Sequence, residues 1–596
     1  MTKFILFFLF SAFTFGQTNT YNVSFENPVH HEAFITINFP KLRDSNLRVM
    51  MSRSSPGRYA LHEFAKNVYN LKATNSKGEI LKVDRPDPYS WEIKGHDGTV
   101  NLSYTLFANR ADGTYSQVDE THAHLNIPAT FIYAKELEHR PIEINFNTPE
   151  NLNWKIATQL KEIDPDTYYA PNLYYFMDSP IEISDFDLRE FEINGQNIRF
   201  ALHHQGSGEA FDQYFEQVKR IIEQEKMVFG ELPNYDYGEY TFLACYMPNV
   251  SGDGMEHRNS TVLTDVTSLA DGGMKENIGT VSHEFFHSWN VERIRPSDLE
   301  PFDFSSTNMS GLLWFAEGFT SYYTNLILYR AQIISPEEYV ESLNKNFNYV
   351  WNSPARAYFN PVEMSYQAPF VDAATSIDPV NRENTFISYY SYGSVLGLAL
   401  DLSLREKGQT LDDFMKLMWL TYGKSEIPYT LQDLQKTLGT FAGEVFASHF
   451  FDNYIYKSGI PDYKKLFDLA GLSIIQKKNE AYFGALLKNG ENSVIISGNP
   501  DKNSPAYNAR LSNGDKLISV DTTILRDLNV WKRNLKNKQP GEQVEIKFIR
   551  NGTEKKTILS FSEDQTYYIS VDSNANKAAI ERLQNWLKGH GNLKKI

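Results

Sequence analysis

Residues 283–287 read His-Glu-Phe-Phe-His, and no other stretch constrains the fold as tightly. Two imidazoles four positions apart share a face and stand one turn from each other on a helix. There they can take two corners of a tetrahedral Zn2+, with Glu284 between them within reach of the water such an ion activates, as general base. A catalytic zinc needs three protein ligands and one open position, so a second element must deliver another ligand to that helix. The segment Trp314-Phe315-Ala316-Glu317-Gly318-Phe319-Thr320 supplies it: Glu317 is the natural third ligand of His283 and His287. The spacing predicts a helix over 279–290, ending before Pro296, and a second over 310–334 with apolar and small residues at helical spacing. The second stops at Ser335-Pro336-Glu337-Glu338, where Ser335 and Glu338 predict a capping box opening a new helix.

The chain has 596 residues, too many for a single core, which predicts several domains. Its aromatic content of 14% is that of a folded protein. A net charge of -16 speaks against a nucleic acid partner, which requires a basic footprint, and is compatible with a substrate carrying a positive amino terminus. Residues 1–16 pair one Lys with a short apolar run, as in an export signal, and Gly16 offers a cleavage point. No other segment reads as membrane-spanning, so no transmembrane anchor is expected in the mature protein. The single cysteine, Cys245, excludes an internal disulfide, which suits a bacterial periplasm or medium; its apolar run predicts a buried strand position.

Period-two alternation and turn pairs such as Asp97-Gly98 predict an all-β domain over 17–180. His122 and His124 there would share one strand face. No third metal ligand is apparent beside them, so they read as ordinary strand residues, as do His30-His31 and His203-His204. Over 181–470 the pattern predicts a helix at 211–229, strands at 240–247 and 254–264, the two metal helices, and a helical half. Thr410-Leu411-Asp412-Asp413 and Thr430-Leu431-Gln432-Asp433 mark two helix starts there. Short strands return over 471–571, including 543–550 ending at the hairpin signal Asn551-Gly552. A tail, 572–596, carries a short helix at 576–587. The expected class is multidomain α+β.

The segment 283–296 (His-Glu-Phe-Phe-His-Ser-Trp-Asn-Val-Glu-Arg-Ile-Arg-Pro) resembles the glycyl aminopeptidase family of gluzincin zinc peptidases. So do 314–320, Gly254-Met255-Glu256-His257-Arg258-Asn259-Ser260 and Tyr389-Tyr390-Ser391-Tyr392-Gly393. The resemblance implies a β amino-terminal domain, a thermolysin-like catalytic domain (a small mixed sheet plus a helical half) and a carboxy-terminal PDZ-like domain. It implies one Zn2+ per chain on His283, His287 and Glu317, with Glu284 as general base. Glu256 matches the glutamate that binds the substrate's free α-amine, with His257 beside it as a further substrate-binding candidate. Tyr390 matches the tyrosine that stabilises the oxyanion, although Tyr392 stands where the family usually has Lys. Ser504-Pro505-Ala506 and Asn513-Gly514-Asp515 resemble a bacterial PDZ pattern, with Tyr482-Phe483-Gly484-Ala485 as the loop that would receive a peptide carboxylate.

The activity implied is removal of small amino-terminal residues, Gly or Ala, from peptides by an exported zinc aminopeptidase, periplasmic or secreted. Two other readings stay open: a zinc endopeptidase of the same clan, and a PDZ-containing binding protein with an inactive peptidase domain.

Overall fold

The computed structural model describes residues 17–149, 151–371, 378–476 and 479–589. The export signal expected at 1–16 lies outside them. No helix of the described residues is long and apolar enough to cross a membrane.

The amino-terminal unit is all β, with sheets of seven, four and three strands. The strand Glu32–Phe39 shows why: Ala33, Ile35, Ile37 and Phe39 are buried while the residues between them face outward. That period-two pattern buries one face only in an extended chain. In the seven-stranded sheet it pairs with Asn19–Asn27 on one side and Val100–Phe107 on the other.

The central unit begins with a five-stranded sheet. Its strands Gln196–His204, Glu239–Tyr246 and Ser260–Asp265 run parallel, flanked by antiparallel Asp187–Ile193 and, at the other edge, Asp253–His257. The single strand expected at 254–264 is thus two, folded at Arg258-Asn259, and its first half is the edge. Glu239–Tyr246 is buried almost throughout because both of its faces are covered. One side meets the helices Gly208–Phe229 and Ile278–Phe286, with the Phe242 and Phe285 rings 5.5 Å apart. On the other, Leu243, Ala201, Met255 and Val262 form a small core with Ala157 and Phe186. The helical half follows, and the capping box of Ser335 and Glu338 opens Pro336–Trp351 as the sequence predicts.

Two helices of this half cross at a pair of glycines. A Cβ on Gly318, in Leu313–Arg330, would stand 2.3 Å from the Cα of Gly393, in Tyr389–Glu406; one on Gly393 would stand 1.8 Å from the Trp314 carbonyl oxygen. Only backbone fits at this crossing. It brings Glu317 and Tyr390, each on one of these helices, to the same end of the cleft.

The carboxy-terminal unit is β-rich around a core of Val494, Ile496, Leu517, Ile546, Phe548 and Trp531. Its strand Gln543–Arg550 turns at Asn551-Gly552, both with positive φ, into Thr553–Ser560, as the hairpin signal predicts. The final helix, Lys577–Lys588, returns to the central unit, where Trp586 is fully buried and its indole N–H donates to the Tyr322 hydroxyl at 2.9 Å.

Candidate active site

The helix Ile278–Phe286 places His283 and His287 on one face, as the spacing predicts, and Leu313–Arg330 brings Glu317 to them. The Nε2 atoms of the two histidines are 3.2 Å apart, and Oε2 of Glu317 lies 3.2 Å from His287 and 3.7 Å from His283. Ligand atoms about 2.0–2.1 Å from a tetrahedral zinc stand about 3.3 Å from one another, which is this spacing. The outer nitrogens are committed elsewhere: Nδ1 of His287 lies 2.7 Å from the Asn290 carbonyl, and Nδ1 of His283 lies 3.2 Å from the Thr324 hydroxyl. With Nδ1 donating, each Nε2 presents a lone pair to the shared centre. Oε2 of Glu317 is buried with no hydrogen-bond partner, while Oε1 accepts from the Tyr59 hydroxyl at 2.9 Å. Two neutral imidazoles, a carboxylate and an orphaned buried oxygen fit a zinc ion.

The surrounding carboxylates favour positive charge at this point, carried either by a proton on His287 or by a metal ion that takes the proton's place. Burial opposes charge on His287, but Glu317, Glu256 and Glu284 outweigh it and raise its pKa well above the ordinary value. Burial also pushes Glu317 up, but the charge on His287 and the close approach of the His287 and His283 rings hold its carboxyl well below the usual range. Glu284 and Glu256 are buried too, and desolvation, with the neighbouring carboxylates, pushes both up. Three carboxylates thus crowd one buried pocket, a place built for cations.

Glu256 lies on the edge strand, with its carboxylate, that of Glu284 and the His287 ring all within 4.8 Å of one another. Glycine at 254 leaves room for Glu284: a Cβ there would meet its Oε1 at 2.2 Å. His257 follows Glu256 on the strand and is held by Asp178, Nδ1 to Oδ1 at 2.9 Å. Tyr390 lines the cleft, its ring 5.8 Å from that of His283. Tyr389 also lines it but packs edge-on against Tyr59 at 6.1 Å. Tyr392 turns away into the core beside Trp351. The cleft measures about 360 Å3 and is closed on one side by Gly57, Arg58 and Tyr59 of the amino-terminal unit. Arg58 is ion-paired to Asp253 of the edge strand.

Three features escape sequence reasoning. Tyr59 and Arg58 come from the other unit, and nothing near them in the chain marks them. Asn290 stitches the two metal helices together: its side-chain amide donates to the Ala316 carbonyl at 2.8 Å and the Thr320 hydroxyl at 3.1 Å.

The chain matches the Peptidase M61 N-terminal domain over residues 20–185, the M61 glycyl aminopeptidase over 276–396 and the PDZ domain over 481–560. It is a metallopeptidase of the M61 glycyl aminopeptidase family. No curated protein matches the sequence. Among solved structures, an aminopeptidase N family protein from Idiomarina loihiensis shares the fold: TM-score 0.85 at 23% identity, over 96% of this chain and 100% of that one. An M1 zinc metallopeptidase from Deinococcus radiodurans aligns at 12% identity and TM-score 0.43, over 75% of this chain and 95% of that one. Leukotriene A4 hydrolase from Saccharomyces cerevisiae aligns at 15% and 0.44, over 75% and 68%.

In the PDZ domain of this M61 peptidase, Phe483 is buried against Trp531, ring centroids 4.6 Å apart. Gly484 has φ +80°, and its carbonyl accepts from the backbone N–H of Asp501 at 2.9 Å and the Ser504 hydroxyl at 3.1 Å. Tyr482 donates its hydroxyl to Asp501. The loop through Ala485 then leads into the edge strand Leu487–Gly490, beside the helix Leu528–Lys536.

Proposed function

We propose that this M61 peptidase is a zinc aminopeptidase that removes small residues, Gly or Ala, from the amino terminus of peptides. The observation that carries the reading is the position of Glu256. Its buried carboxylate stands beside Glu284 and His287, on an edge strand whose free side can pair with an extended peptide. There it would accept the charge-assisted hydrogen bonds of an α-ammonium and so admit only the first peptide bond to the reacting position. His257, next on the strand, points to the opposite face, where Asp178 holds it.

His283, His287 and Glu317 would hold the zinc ion, which when bound supplies Lewis acidity toward the scissile carbonyl and toward water. Glu284, raised in pKa by burial, takes a proton from the attacking water and delivers it to the leaving amine nitrogen as the C–N bond breaks. Tyr390 donates to the developing oxyanion. Arg58 and Tyr59 wall the cleft and exclude bulk water. The preference for small residues is supported by the family match, and the loop 482–485 is assigned to capture of a peptide carboxylate. Residues 1–16 would direct export to the periplasm or medium.

The test is hydrolysis of Gly- and Ala-anilides, with N-acetyl-Ala-anilide as control, before and after chelation and zinc return. Zinc-dependent cleavage of the free amines alone is expected. Cleavage of the blocked substrate as well would make the protein an endopeptidase, and cleavage of none, with metal bound, a binding protein.

A further inference from the structure

The structure supplies what the sequence lacked around His122. Four strands bring His122, Glu182, His203 and Cys245 to one buried point; all four are less than 5% exposed. His122 and Glu182 come from neighbouring strands of the amino-terminal four-stranded sheet, His122–Leu125 and Ile181–Ser184. His203 and Cys245 are paired neighbours on the parallel strands of the catalytic sheet. Nδ1 of His203 lies 3.3 Å from the Cys245 sulfur and 3.7 Å from Oε1 of Glu182. Nδ1 of His122 lies 3.6 Å from the same sulfur and 3.3 Å from the same oxygen. A zinc ion with bonds of about 2.3 Å to sulfur and about 2.0–2.1 Å to nitrogen and oxygen sets its tetrahedral ligands about 3.3–3.6 Å apart.

A plain hydrogen-bond relay would run from partner to partner. Here both ring nitrogens face both acceptors, and all four ligand atoms lie within 4.8 Å of one another. A supporting layer is also present. Oε2 of Glu182 lies 3.0 Å from Nδ1 of His124, whose Nε2 lies 3.0 Å from the Asp112 carbonyl. Metal-ligating groups are oriented by such outer partners.

We propose that His122, Glu182, His203 and Cys245 form a second, structural site for zinc or a similar borderline-soft divalent ion, clamping the amino-terminal sheet to the catalytic sheet. Four protein ligands leave no open position, so the ion holds structure and takes no substrate. This site is independent of the one proposed for catalysis.

Because Cys245 is the only cysteine, sulfur ligation has a signature that no other residue can give. The full-length protein would be produced in cobalt medium and its absorption and metal content measured. A thiolate-to-cobalt charge-transfer band in the near ultraviolet is expected, together with two ions per chain. Cys245→Ser should lose the band and one ion, and His283→Ala should keep the band. Absence of the band from the unsubstituted cobalt protein overturns the proposal, whatever the metal count and whether or not Cys245→Ser folds.

Discussion

At the scale of single residues, the candidate metal cluster was legible because helical spacing encodes it: His283, Glu284 and His287 lie within five positions, and Glu317 sits in its own periodic segment. Tyr59 was not legible, since it is 258 positions from the carboxylate it supports. Removing that hydrogen bond with Tyr59→Phe should weaken metal binding by about tenfold or more, as loss of an outer partner does. Competition with a chelator measures this, and unchanged affinity would show that Tyr59 does not orient Glu317. A second residue carries a pH dependence. His62 is stacked on Phe64, and burial, with Arg58 nearby, lowers its pKa to about 4 from 6.5. The fold therefore keeps it neutral, while the unfolded chain takes up a proton below 6.5. Stability should be full above that pH and fall as pH drops toward 4, by at most about 3 kcal/mol at about 1.4 kcal/mol per unit. Denaturant unfolding of the wild type and of His62→Phe across this range checks it: the variant's curve should be flatter.

At the scale of elements, starts and stops read well where side chains cap the backbone. Ser335 with Glu338 and Thr430 with Asp433 are capping boxes in the structure. The hairpin at 253–265 was read as one strand because Arg258-Asn259 carries no Gly or Pro to mark the turn. The crossing of Gly318 and Gly393 was equally silent, although both glycines sit in the motifs that carry the family resemblance. Their role is close approach, and Gly393→Ala must push the two helices apart. We expect a loss of about 1–3 kcal/mol or more in stability, and a larger loss in turnover because Glu317 and Tyr390 ride on opposite helices. A variant with wild-type stability and kcat would contradict the crossing.

At the scale of the whole molecule, the order of three units was readable from pattern, since a change of period needs no knowledge of contacts. How they dock was not. Asn344 and Asn348, one turn apart on Pro336–Trp351, each exchange two hydrogen bonds with the backbone of the strand Tyr567–Val571, at Ile569 and Tyr567, all at 2.7–3.0 Å. The PDZ domain docks on the central unit through residues 500–502: Lys502 N–H donates to Asn384 at 2.6 Å, and Asn384 donates to the Pro500 carbonyl at 3.0 Å. Trp586 anchors the chain end on Tyr322, which shares a helix with Glu317. Trp586→Ala should therefore destabilise the catalytic unit by about 3–5 kcal/mol, the usual cost of emptying a buried Trp site. A lowered unfolding midpoint with intact far-ultraviolet signal at low temperature is the expected result, and an unchanged midpoint would show that the tail is merely apposed.

The central claim is that one buried carboxylate moves the proton while three neighbouring side chains hold the metal. Comparison of Gly-anilide turnover by the wild type and Glu284→Gln, at equal and measured zinc occupancy of the catalytic site, tests it most directly. The account predicts unchanged occupancy with kcat lower by about 10²–10⁴-fold, the range of general-base catalysis. Turnover within a few fold of the wild type at full occupancy would contradict it.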